Sequence, residues 1–151
     1  DPKKIITNEC LEISLNHKMD TINAALLIIA LKHFSKKKNR REEIAKILDD
    51  NLSSFCKTQP KHENEIHGRY VYPINVENRD NFANYLKENN IETKIFNRPL
   101  ACDAPIYKKY KKHPVLKSER LLSTNIIIPS HEKLSQDQID YMINIINKFK
   151  I

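Results

Sequence analysis

The residues that could do chemistry are few and scattered. Cys102 stands next to Asp103 in a proline-rich stretch, with His113 further along. A thiol beside an imidazole is a nucleophile only when its pKa is lowered and the two groups meet at hydrogen-bond distance. This spacing enforces neither, so Cys102 is read as an ordinary thiol. His67 precedes one strand-like stretch and His131 follows another, positions that read as turn or surface histidines. Asp49-Asp50 and Glu42-Glu43 are neighbours on a helical stretch, where adjacent residues do not face each other, so they make no acid–base pair. Gly68 is the only glycine, which excludes a glycine-rich phosphate loop, a dinucleotide fingerprint and a nucleophile elbow. The six histidines never pair with Cys10, Cys56 or Cys102 at zinc-site spacing. No catalytic residue and no metal site is expected from the residues alone.

The net charge of +7 concentrates in Lys32–Arg41 and in Lys108–Lys112. Such runs can bind polyanions by releasing counterions. Here Glu42 and Glu43 follow at once, and Phe34 is the lone aromatic nearby, so no platform for stacking bases is present. The runs are read as solvated surface, and nucleic acid is kept as the alternative partner.

The elements that must position any site follow from periodicity. Leu11, Ile13 and Leu15 alternate, as a short strand does. Asp20 or Thr21 caps a helix carrying Ile22, Ala25, Leu26, Ile29 and Ala30, with Ala24, Leu27 and Ile28 making it apolar almost all round. Such a helix needs burial, with a second subunit as one candidate cover. Lys36–Leu52 is a second helix with Ile44, Ile47, Leu48 and Leu52 inward, and Ser53–Glu65 a polar connector. Tyr70, Tyr72, Ile74 and Val76 mark a half-buried strand. Asn78 or Asp80 caps a helix with Phe82, Tyr85 and Leu86 on one face, stopped by Asn89-Asn90. Ile91–Phe96 reads as a strand, 97–117 as a proline-rich loop with a turn at Pro105–Tyr110, and Ser118–Ser123 as a short helix. Ile126–Ile128 is a buried strand. Ser135 and Gln138 form a capping box for a last helix with Ile139, Met142, Ile143 and Ile146 inward. The order α-α-β-α-β-(α)-β-α gives an α+β fold, helices packed on a small mixed or antiparallel sheet.

A chain of 151 residues, 40% hydrophobic and 30% charged, suits one compact domain. Its longest apolar run, Ala24–Leu31, is far short of the roughly 20 residues a bilayer span needs. No leader pattern follows Asp1-Pro2-Lys3-Lys4, and three widely spaced cysteines suit a reducing cytoplasm. There is no initiator methionine, so the chain is expected to be a piece of a longer one.

Several segments, taken in order, resemble one family. Asn16-His17-Lys18-Met19, followed by a helix with Asn23-Ala24-Ala25, is similar to the N-x-[R/K]-M and Q-A-A stretch of the DegT/DnrJ/EryC1/StrS sugar aminotransferases. Arg40-Arg41-Glu42-Glu43-Ile44-Ala45 resembles their R-R-E-I-A. The strand Tyr70–Val76 with Arg79-Asp80, then Ile91-Glu92-Thr93-Lys94, Pro99-Leu100, and Pro105-Ile106-Tyr107 continue the likeness. Ile127–Ser130 with Leu134-Ser135 completes it, over about residues 11–149.

The resemblance implies the small C-terminal domain of a fold-type I aminotransferase that uses pyridoxal phosphate. Residues 1–19 are then a connecting segment from an N-terminal cofactor-binding domain, and 20–151 the small domain. It further implies that the whole enzyme moves an amino group from glutamate to a nucleotide-linked ketosugar, of the kind used in polysaccharide biosynthesis, as a cytoplasmic homodimer. The family's Schiff-base lysine has no counterpart here, so this chain is expected to be inactive alone and to hold no cofactor covalently. Asn16 is carried over as a contact to the cofactor phosphate of the neighbouring subunit, its amide donating without adding charge. Lys18 would sit near the cofactor or the substrate diphosphate as a point charge. The proline loop departs from the family's P-L-H: Ala101-Cys102 follow Pro99-Leu100, which leaves Phe96 and Arg98 as the substrate-facing residues. Asn90 stands where the family has glycine.

Overall fold

The computed structural model describes residues 19–60, 64–95 and 100–150. The strand expected at Leu11–Leu15 lies outside them. Helix α1 (Thr21–Lys32) and helix α2 (Phe34–Asn51) are separated only by His33, whose N–H still bonds the Ala30 carbonyl at 3.1 Å. The second helix therefore starts two residues earlier than its polar pattern suggests. Strand β1 (Tyr72–Asn75), helix α3 (Arg79–Glu88), helix α4 (Leu116–Thr124), strand β2 (Asn125–Ile128) and helix α5 (Gln136–Lys148) follow, with single 3-10 turns at Ala101–Asp103 and Lys108–Tyr110.

The two strands pair antiparallel, Tyr72 opposite Ile128 and Asn75 opposite Asn125. Tyr72 and Ile74 point into the core while Pro73 and Asn75 are half-buried, the period-two alternation read from the sequence. Pro73 donates no backbone hydrogen bond, which suits a strand with little neighbour on its outer side. There, Lys57 forms one bridge with Asn75, and on the far side of β2 Lys94 bridges Ile127. That second bridge is what stands, among the described residues, in place of the strand expected at Ile91–Phe96. Ile91 itself is buried as a core side chain, and its N–H bonds the Leu86 carbonyl at 2.9 Å, closing α3 rather than pairing with the sheet.

The core lies between this ribbon and one face each of α2, α3 and α5. Ile44, Ala45 and Leu48 come from α2, Phe82 and Leu86 from α3, and Ile139, Met142, Ile145 and Ile146 from α5. Spacings of three and four place each set on one helical stripe. Phe149 closes the far end against Phe82, ring centroids 5.0 Å apart and near edge-on. The capping box at Ser135 and Gln138 is present. Asn90 sits at φ 58 just after α3, the left-handed residue that ends the helix. Among the described residues, helix α1 packs mainly on its neighbour α2 and buries no residue.

Candidate functional site

Asn16, Lys18, Phe96 and Arg98 lie outside the described residues, but the described chain flanks both places. Asp20 caps α1, its Oδ1 accepting the Asn23 N–H at 2.8 Å. The Asn23 amide holds the Asp20 carboxyl below its ordinary pKa, because a bonded anion is favoured over the acid. Helix α1 thus starts with a fixed negative end. At the proline loop, Lys94 enters pinned to β2 by two backbone bonds with Ile127, 3.0 and 2.8 Å. The chain emerges at Leu100, whose carbonyl accepts the Asp103 N–H at 2.8 Å. Lys111 Nζ then meets Asp103 at 2.6 Å and Glu119 of α4 at 3.3 Å. Asp103, hydrogen-bonded to it, raises the pKa of that lysine. The loop is therefore anchored to the sheet at one end and to α4 at the other.

The candidates weighed in the sequence lie apart from one another. Cys102 is half-buried, and no bond joins it to His113 among the described residues. His67 accepts the Arg69 N–H through Nδ1 at 3.0 Å, so its Nε2 carries the proton and donates to Gln59 Oε1 at 3.0 Å. That ring serves its own loop. No group of three potential metal ligands occurs among the described residues, and no helix there is long and apolar enough to cross a membrane. The basic run is partly spent within the fold: Arg40 pairs with Glu43 at 3.2 Å, and Arg41 with Glu132 at 2.8 Å. Lys109 lies over the Tyr110 ring, 5.0 Å from its centroid.

One buried polar cluster escaped the sequence reading. Arg69, 5% exposed, sets Nε 3.2 Å from Glu42 and Nη2 3.6 Å from Asp49. The Tyr72 hydroxyl donates to Asp49, and burial with this carboxylate pushes the tyrosine pKa well above its ordinary value. Only its carboxylate half is legible in the sequence. Glu42 and Asp49 are seven apart on α2, two turns up one face, whereas the adjacent pairs Glu42-Glu43 and Asp49-Asp50 diverge. Both anions are tied to a guanidinium, so the cluster clamps the Gly68–Tyr72 entry to β1 onto α2 rather than offering a free base.

Residues 3–147 match the model of the DegT/DnrJ/EryC1/StrS aminotransferase family. The chain is 29% identical over 140 residues to the GDP-perosamine synthase of Escherichia coli O157:H7, covering 91% of this chain and 38% of the relative. It is 23% identical over 136 residues to the dTDP-3-amino-3,6-dideoxy-alpha-D-galactopyranose transaminase of Aneurinibacillus thermoaerophilus, covering 89% and 38%. A solved DegT DnrJ EryC1 StrS aminotransferase from Brucella abortus superposes with a TM-score of 0.80 at 26% identity, over 93% of this chain and 38% of that one. The chain thus spans about 38% of the length of these relatives.

Proposed function

We propose that this chain, which belongs to the DegT/DnrJ/EryC1/StrS aminotransferase family, is the C-terminal portion of a pyridoxal-phosphate-dependent enzyme that moves an amino group from glutamate to a nucleotide-linked ketosugar. The observation that carries this is the match itself. It runs over residues 3–147, holds in three dimensions at a TM-score of 0.80, and yet reaches only 38% of the relatives' length. The two curated relatives carry sugar-nucleotide names, which supports a sugar nucleotide as substrate class. Pyridoxal phosphate, held by a lysine, supplies the electron sink for amino transfer.

In this reading the chain shapes and completes the site. Asn16 donates its amide to the cofactor phosphate of a second copy, and Lys18 stands near the substrate diphosphate. Phe96 and Arg98 face the sugar from a loop whose described ends are anchored at Lys94 and Leu100. Asp20, which caps the start of α1, follows Lys18 by two positions in the chain.

The test is the longer protein that contains this chain, incubated with pyridoxal phosphate, glutamate and nucleoside-diphosphate ketosugars. Release of 2-oxoglutarate that requires the ketosugar is expected. Asn16→Asp, which sets a negative charge toward the phosphate, should weaken cofactor retention tenfold or more. No release with any such sugar, together with no cofactor absorbance, overturns the reading.

A further inference from the structure

We propose that the cleft between α4 and the end of β1 binds an organic phosphate monoester with a small apolar body. The cleft holds about 370 Å3, at the lower end of the range of small-molecule sites. Its walls come from three places. Helix α4 contributes Lys117, Arg120, Leu121 and Thr124, which at steps of three, four and seven share one helical face. The end of β1 contributes Asn75 and Glu77, and the segment after α2 contributes Phe55 and Lys57.

These walls are joined before any ligand arrives. Lys57 and Asn75 exchange two backbone bonds, 3.0 and 2.9 Å, and the Val76 N–H bonds the Thr124 carbonyl at 2.9 Å. The Thr124 hydroxyl donates back to the Arg120 carbonyl of its own helix at 3.0 Å and lies 3.3 Å from Asn75 Oδ1. Phe55 is held edge-on to Phe82, centroids 6.0 Å apart. A site whose backbone is already bonded loses little entropy on binding.

Charge and shape select the ligand. Lys57, Lys117 and Arg120 bring three positive charges, and Glu77 returns one, bonded to Arg120 at 2.8 Å. After Arg120, Lys57 also acts on Glu77 and helps hold that carboxyl below its ordinary range, so one acid answers three cations. The surplus matches a dianion, and a monocarboxylate would leave it half-neutralised. Phe55 and Leu121 line the apolar part, with Leu121 55% exposed. Inorganic phosphate alone would leave that surface wet. None of these residues belongs to the site assigned above, so the two readings stand or fall separately.

The test is a nuclear magnetic resonance titration of the isotopically labelled chain with phenyl phosphate, inorganic phosphate and phenol in separate arms. Phenyl phosphate should shift the amides of Lys57, Asn75, Val76 and Thr124 saturably, and bind at least tenfold tighter than either fragment. Lys57→Gln with Lys117→Gln should weaken it tenfold or more while the remaining spectrum stays in place. Leu121→Gln should bring phenyl phosphate down to the level of inorganic phosphate. Equal binding of inorganic phosphate, shifts confined to Lys32–Arg41 or Lys108–Lys112, or a double variant that binds unchanged would each overturn the proposal.

Discussion

Arg69 places Nη2 3.6 Å from Asp49 Oδ2, and it does so from a left-handed backbone at φ 46. The chain's one glycine sits immediately before it and is not in that region. A non-glycine residue held there costs about 1–3 kcal/mol, so the ion pairs to Glu42 and Asp49 must offset strain as well as desolvation. Arg69→Met removes the cation from the partly buried Glu42 and Asp49 carboxylates, while the Tyr72 hydroxyl keeps its bond to Asp49. It should destabilise the fold by about 1–3 kcal/mol in urea unfolding. Arg69→Gly should cost less than Arg69→Met, because it relaxes the backbone while losing the same pairs. Equal stability of the methionine variant and the parent would show that the clamp contributes nothing.

The same backbone argument applies with opposite chemistry at Asn90, φ 58. Asparagine tolerates this conformation better than residues with bulkier Cβ groups. Asn90→Gly should leave stability within about 1 kcal/mol, since relieved strain is balanced against a more flexible unfolded chain. Asn90→Val should cost about 1–2 kcal/mol. Thermal unfolding of the two variants in parallel checks the order.

Cys56 and Cys102 should separate by reactivity. Cys56 is 6% exposed, and burial pushes its thiol up to about 12, so almost no thiolate exists at neutral pH. Cys102 is half-buried. A disulfide reagent should modify Cys102 in the native protein and reach Cys56 only at the rate of unfolding. Peptide mapping after brief labelling reads this directly, and early modification of Cys56 would contradict the burial.

Glu132 ties the turn before α5 to α2 through Arg41, 2.8 Å away. A hydrogen bond to its own backbone N–H, then the Arg41 guanidinium, hold its carboxyl below the ordinary range. The folded pKa lies below the unfolded one, so the contribution is present above the unfolded value and is lost as pH falls through the folded value. Glu132→Gln should cost up to about 1 kcal/mol at neutral pH. The gap to the parent should close below the ordinary carboxylate range. A gap that persists in acid would assign the effect to packing instead.

How far the sequence reached depends on the kind of order involved. Ile139, Met142 and Ile146 repeat at helical spacing behind a capping box, and local chemistry alone specified that helix. Tyr72 and Ile74 alternate because one face of a ribbon is buried. The strand expected at Ile91–Phe96 was not formed among the described residues because Ile91 goes to the core at the end of α3, which periodicity cannot distinguish from pairing. The Arg69 cluster joins residues 20 and 27 apart from one another, a contact that only the fold creates. The four residues carried by the family likeness stand in segments outside the described structure, so their placement rests on that likeness.

Helix α1 carries the last prediction. Ile22, Leu26, Leu27, Ile28, Ile29 and Leu31 are 47–75% exposed, and no residue of the helix is buried. Burying one such side chain is worth about 1.5–3 kcal/mol, so six in water form a surface that seeks cover. These side chains surround the helix rather than forming one stripe, so packing on α2 alone cannot satisfy them. The chain by itself should therefore self-associate through α1. Leu27→Glu with Ile28→Glu should disperse it, and because neither side chain reaches the core, the circular dichroism and unfolding midpoint should change little. Sedimentation of the parent and the double variant over a concentration series decides it. A parent that stays monomeric at high concentration, with the double variant losing core stability, would place α1 inside one domain after all.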